Sequence, residues 1–232
     1  MRAVTADRGL IFTGESIPAL LNTKPGVWPA EPIDPTKPFK WQTRRIVKLP
    51  RGCQYDGHRP PGHPDSGDVF CSRSHEATGT HRVRNRYGIP GARKWMREAY
   101  KTLAHGRNFG LELHYKADGY DPASDYASRV RYRRIFDPAP DRDDKWRPIE
   151  FGPWKSPLYM PRWGSRAAFT LIELRVEQLG DISEEDAEGV EALSCSYGAL
   201  SYKAGYWKRW VDLHGPTQLT TWVWVLTLAR IA

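Results

Sequence analysis

The segment Tyr159-Met-Pro-Arg-Trp-Gly-Ser-Arg166 sets two aromatic rings, Tyr159 and Trp163, among two guanidinium groups, Arg162 and Arg166. Aromatic faces stack on bases and guanidinium groups hold phosphates, the equipment used on single-stranded or flipped nucleotides. The plainer alternative is that Trp163 caps a core and the arginines anchor a loop. A second group of cations lies in Ala127-Ser-Arg-Val-Arg-Tyr-Arg-Arg134, where Arg129, Arg131 and Arg133 recur at period two and would share one face of a strand as phosphate contacts. Cys53, His58, His63, Cys71 and His75 are all capable of binding a metal, but their spacings match no compact paired zinc pattern, so neither a metal site nor a cofactor is expected. Ser-His-Asp and phosphate-loop signatures are absent.

Composition narrows the partners. The chain has 232 residues, of which 40% are hydrophobic and 27% charged, enough to bury one good core in a single domain. Lys and Arg number 35 against 27 Asp and Glu, giving a formal charge of +8, and the pI is near 9.4. That surplus favours an anionic partner through long-range attraction, with nucleic acid first. Three cysteines, Cys53, Cys71 and Cys195, are too few and too odd in number for a secreted disulfide framework. Met1 to Gly9 holds charges and no apolar core of signal-peptide length, and the most apolar tract, Thr221 to Ala232, is far short of a membrane helix. A cytoplasmic protein that does not enter membranes is expected.

The elements that must position these groups follow from periodicity. Leu10-Ile-Phe-Thr13 reads as a strand, leading to a short helix with Ile17, Leu20 and Leu21. Thr23 to Pro38, with five prolines, reads as an extended surface excursion. Gln42 to Leu49 is expected as a strand, and Pro50 to Arg86 as a long loop without hydrophobic period. Lys94 to Tyr100 reads as one strand, and Leu111 to Ala117 as another, paired with 127–134. In the strand Ala167 to Leu179, strict alternation puts the apolar set Ala168, Thr170, Ile172, Leu174 and Val176 toward the core. Ser183-Glu-Glu-Asp186 has the spacing of a helix N-terminus. A helix from about Ser201 to Leu213, with an apolar stripe of Tyr206, Trp207, Trp210 and Val211, ends at Gly215-Pro216, before a last buried strand, Thr221 to Ile231.

Five segments in order carry a resemblance: Lys40-Trp-Gln-Thr-Arg-Arg45, Tyr87-Gly-Ile-Pro-Gly91 with Trp95-Met-Arg-Glu98, the Tyr159 to Arg166 segment, Leu179-Gly-Asp-Ile-Ser-Glu-Glu-Asp-Ala187, and Trp222-Val-Trp-Val225. Together they resemble the ASCH-domain proteins of tailed phages and prophages, a PUA-like family, over roughly Leu10 to Ile231. The resemblance implies a mixed α/β (α+β) fold, a small β-barrel with flanking helices, enlarged at 23–38 and 50–86, and a host-cell cytoplasmic setting if phage-encoded. It implies binding of nucleic acid or a modified nucleobase in a basic cleft walled by Lys40, Thr43, Arg44, Arg45, Glu98 and Tyr159 to Arg166. Glu98 either lines that pocket or pairs with a buried arginine.

Some members of the family are amidohydrolases that deacetylate N4-acetylcytidine, and others look like ribonucleases. For the first of these, the resemblance implies a catalytic set of Lys40, Thr43 and a glutamate. A threonine needs a base to take its proton, and Lys40 can serve Thr43 only from the turn ahead of the strand or from a bulge, because residues three apart in a strand point to opposite faces. Members of the family usually carry two more residues between Ala187 and the Glu-Gly pair. Their absence rotates the helix by roughly 200°, leaving Glu188 as the nominal match and Glu191 near the original register.

Overall fold

The computed structural model describes residues 8–12, 16–37, 39–60, 63, 67–73, 80–104, 111–118, 153–190 and 201–231. In chain order their elements are β1 (Arg8–Ile11), α1 (Ser16–Leu21), β2 (Gln42–Ile46), β3 (Gln54–His58), β4 (Val69–Ser72), β5 (His81–Val83), β6 (Arg93–Arg97), β7 (Tyr100–Ala104), β8 (Leu111–Tyr115), β9 (Ala168–Gln178), α2 (Glu184–Val190), α3 (Tyr202–His214) and β10 (Trp222–Arg230). The fold is mixed α/β and rich in strands, and among the described residues the sheets form no closed barrel. The chain divides into two compact units, one of Met1–Arg8, Pro18–Lys94 and Ala167–Ala232, the other of Gly9–Ile17 and Trp95–Arg166.

In the first unit, β10 runs antiparallel between β9 and β2. Its residues Val223 to Ala229 are all buried, which fits a strand covered on both faces. The expected strand at 168–178 is present, but its core-facing set differs from strict alternation. Thr227 opposes Glu173 whereas Leu228 opposes Leu171, so Ile172 is an extra residue in a β-bulge. Before the bulge Phe169 and Leu171 are buried; after it, Leu174 and Val176 are. The bulge therefore sends Glu173, Arg175 and Glu177 to the same face as Gln42 and Arg44, their neighbours across β10.

Helices α2 and α3 cover that face, packing Ala187, Tyr206 and Trp210 with Leu179, Ile182, Val223 and Val225. Both ends of α3 are capped: Ser201 Oγ accepts from the Ala204 N–H at 3.2 Å, and Gly215, at φ +75°, donates its N–H to the Val211 carbonyl at 2.8 Å. Val211 belongs to the solvent side, 43% exposed, rather than to the expected apolar stripe.

Residues 50–86, expected as a loop, contain the three-stranded sheet β3-β4-β5. Val69 and Cys71 of β4 are fully buried, and Trp224 donates its indole N–H to the Gly67 carbonyl at 2.7 Å. A Cβ on Gly67 would come within 2.4 Å of the Leu174 side chain, so the turn at φ +79° lies directly on β9. This segment thus covers the second face of β9 and β10. The 23–38 excursion is pinned rather than loose, since the Asn22 side chain donates to the Asp34 and Lys37 carbonyls and accepts from the Asp34 N–H.

In the second unit the single strand expected over 94–100 is two, the end of β6 and then β7. The described partner of β8 is β7, with Tyr100 opposite Tyr115 and Thr102 opposite Leu113; residues 127–134, expected to pair there, lie outside the described residues. Tyr100, Leu113, Tyr115 and Met160 form the core of this unit, with Trp95 packed against it.

Candidate functional site

A buried charge network organises one face of the first unit. Arg44, whose side chain is wholly buried, donates from Nε and Nη2 to Glu177 Oε1 at 3.2 and 2.6 Å, from Nη1 to Gln42 Oε1 at 2.7 Å, and from Nη2 to Asp186 Oδ2 at 3.2 Å. Gln42 returns a bond to Asp186 Oδ1 at 2.8 Å. Arg175 adds bonds to Glu177 at 3.0 Å and Glu173 at 2.8 Å and a close contact to Asp186. Burial alone would lower the Arg175 pKa, but the bond and charge of Glu177, with Asp186 and Glu173, raise it. With every guanidinium nitrogen engaged, Arg44 is a clamp and is not offered to a phosphate.

In the sequence Asp186 reads only as part of a helix N-terminus. It occupies the third position of a helix whose cap is Ser183, with its own N–H donating to Ser183 Oγ at 3.0 Å. The Ser-x-x-Asp spacing found the cap but gave no sign that the carboxylate turns toward Arg44 and Arg175. Glu188, two residues on, is half-buried and lies roughly 200° further around α2. Glu191, the alternate, lies outside the described residues.

Lys40 and Thr43 are both buried, at 4% and 5% exposure. Lys40 precedes β2, donating its N–H to the Ala19 carbonyl at 3.1 Å and accepting from Thr23 Oγ1 at 3.1 Å, so it stands ahead of the strand as the pairing with Thr43 requires. Thr43 lies opposite Leu226, on the face away from Arg44. Arg45, on the same face as Thr43 and opposite Trp224, has its pKa lowered by burial, with the nearby Tyr87 acting the other way.

The second unit holds a different arginine cluster. Arg166 grips Glu98 with two bonds of 2.8 and 2.6 Å, donates to Asp118 Oδ1 at 2.6 Å, and lies over the Tyr115 ring at 4.2 Å. Of the two roles open to Glu98, the arginine pair is the one in place. Burial pushes the Glu98 carboxyl up, and Arg166 pulls against that push.

Around this anchor the 155–166 segment is fixed. Lys155 exchanges backbone bonds with Tyr100, the Tyr115 hydroxyl donates to the Gly164 carbonyl at 2.6 Å, and the Tyr100 hydroxyl donates to the Tyr159 carbonyl at 2.9 Å. Two short 3-10 turns, Pro157–Tyr159 and Arg162–Gly164, then turn Tyr159 outward at 75% exposure and Trp163 at 38%, with Arg162 also exposed. Cations interleave with rings elsewhere in the unit: Lys101 Nζ is 4.6 Å from the Trp154 centroid, and the Arg97 guanidinium is 5.2 Å from that of Trp95. Arg129, Arg131 and Arg133 lie outside the described residues. No helix among the described residues is long and apolar enough to cross a membrane. No protein-family model matches the chain, and comparison with curated proteins and with solved structures finds no match.

Proposed function

We propose that the protein binds nucleic acid or a modified nucleobase, with single-stranded RNA or DNA as the main ligand class, and that it is a PUA-like protein of the ASCH type. The observation that carries the binding reading is the fixed 155–166 segment with its outward Tyr159, Trp163 and Arg162. A ring carried on a backbone already held by hydrogen bonds needs no ordering of its loop when a base stacks on it, so the stacking energy is not spent there. The formal charge of +8 supplies the attraction that brings a polyanion to it.

The test is fluorescence anisotropy with short single-stranded RNA and DNA oligonucleotides over a salt series. Affinity should fall steeply as salt rises, because each neutralised phosphate releases condensed counterions. Tyr159→Ala and Trp163→Ala should each weaken binding about 10- to 100-fold, as expected for one lost stacking contact, with the melting temperature of the Tyr159→Ala variant unchanged. Salt-independent affinity, or full binding by the double variant, would overturn the reading.

A second reading has its own observation. Lys40 is buried ahead of β2, the position from which it can serve Thr43. That favours an amidohydrolase acting on N4-acetylcytidine-type nucleosides. Release of acetate, abolished by both Lys40→Ala and Thr43→Ala, would establish it. Its weakness is the carboxylate, since Asp186 is held by two arginines and Glu188 points elsewhere on α2.

A further inference from the structure

The 50–86 insertion brings two cysteines together. Residues Pro50 to Cys53 form a tight turn, with the Cys53 N–H donating to the Pro50 carbonyl at 3.0 Å and Gly52 at φ +77°. The turn delivers Cys53 to the start of β3. There Gln54 pairs with Ser72 and Tyr55 with Cys71, so Cys53, two residues before Tyr55, shares a face with Cys71 and lies diagonally across from it. The Cys53 thiol is near enough to be among the groups that push the Cys71 thiol up. The two are also unlike in access, since Cys71 is fully buried and Cys53 is half-exposed. Among the described residues no group of three or more His, Cys, Asp or Glu side chains is placed to hold a metal ion.

We propose that Cys53 and Cys71 are a redox-sensitive dithiol that closes to an intrachain disulfide when a peroxide oxidises Cys53. In the first step the Cys53 thiolate attacks one peroxide oxygen, the O–O bond breaks, and Cys53 becomes a sulfenic acid as hydroxide leaves and takes up the thiol proton to form water. In the second, the Cys71 sulfur attacks the Cys53 sulfur, the S–O bond breaks, and the leaving hydroxide takes the Cys71 proton as a second water. Two thiols and one peroxide thus give one disulfide and two waters, with both sulfurs oxidised and the peroxide reduced.

The environments fix the order of events. Burial, with the Cys53 thiol and the Asp56 carboxylate, pushes the Cys71 thiol up to about 11. Cys71 is therefore a poor first nucleophile and a shielded second one. Closure would tie the turn before β3 to β4, in the sheet whose Tyr55 stacks on Trp222 at 3.6 Å.

The experiment treats the full chain with hydrogen peroxide, blocks remaining thiols by alkylation, and maps tryptic peptides by mass spectrometry. Arg59 is followed by Pro60, which resists trypsin, so both cysteines remain in one peptide, 52–73. The expected product is that peptide lacking two hydrogen atoms and carrying no alkyl group, restored to a doubly alkylated form by dithiothreitol. Its formation should accelerate with rising pH, as the Cys71 thiol is a reactant in the closing step. Several results would overturn the proposal: Cys53 as a sulfinic acid with Cys71 still alkylated, a bridge to Cys195, a disulfide between two chains, or an unoxidised peptide. Cys53→Ser should leave Cys71 alkylated after peroxide treatment. The wild-type map gives the answer by itself if that variant does not fold.

Discussion

Replacing Arg44 by methionine tests whether this arginine is a clamp or a ligand-binding cation. The substitution preserves apolar bulk but removes four hydrogen bonds, two to Glu177 and one each to Gln42 and Asp186. Breaking a fully buried pair by removing one partner costs about 3–5 kcal/mol, because the remaining charge is left uncompensated. Here Arg175 still reaches both Glu177 and Asp186, and those carboxylates keep 16% and 22% exposure, so the lower end applies, about 3 kcal/mol. For a chain of this size that corresponds to a fall in Tm of about 6–12 °C. Tryptophan fluorescence during thermal and urea unfolding reads it directly. Arg44→Lys should recover only part of the loss, since an ammonium cannot reproduce the planar fork. Glu177→Gln in the Arg44→Met background should cost much less than it does alone, because the two side chains share one interaction. The clamp assignment fails if Arg44→Met changes stability by less than about 0.5 kcal/mol. It fails equally if the variant keeps its Tm but binds single-stranded oligonucleotides with a shallower salt dependence.

Two further perturbations probe the packing and the second arginine cluster. A Cβ on Gly189 would lie 2.5 Å from the Trp41 ring, so Gly189→Ala should cost about 1–3 kcal/mol by overpacking, and Gly189→Ala with Trp41→Leu should recover part of it in the same melts. Glu98 has its folded pKa raised, first by burial, so folding favours the protonated form more than the unfolded chain does. Its contribution to stability is therefore full below the unfolded value of about 4.3 and is lost as pH rises through the folded pKa. Carbon-13 carboxyl NMR should show Glu98 titrating above the other glutamates, and Glu98→Gln should flatten stability against pH in that window; a Glu98 midpoint at or below the ordinary value would contradict the burial argument.

How far the sequence carried each element depended on how local its determinants were. Helix α3 was legible because most of its apolar stripe and its Gly215-Pro216 stop lie within about four turns of chain. Strand β9 was legible as a strand but not in its facing, since one extra residue at Ile172, detectable only by register against β10, inverts the alternation. The β3-β4-β5 sheet was not legible at all. Its strands are three to five residues long, β3 carries Asp, Gly and His in five residues, and they exist through pairing with one another and packing on β9 and β10. Asp186 was legible as part of a cap, whereas its bonds to Gln42 and Arg44 join residues more than a hundred positions apart.

The same locality limits what a charge count says about partners. Arg44, Arg175 and Arg166 are paired within the chain to Glu173, Glu177, Asp186, Glu98 and Asp118. These three cations and five carboxylates are part of the 35 and 27 in the whole sequence, so the other 32 cations face 22 carboxylates, a surplus of ten rather than eight. Lys40, Lys94 and Arg209 are buried as well, so not all of these cations reach the surface. Attraction of a polyanion should come from groups such as Arg162 and Lys155, both exposed in the segment that presents Tyr159 and Trp163. Among the arginines of the described residues, those with the best geometry are then the least suited to phosphate. A guanidinium already satisfied by carboxylates would have to give up bonds of 2.6 to 3.2 Å to donate to a phosphate oxygen.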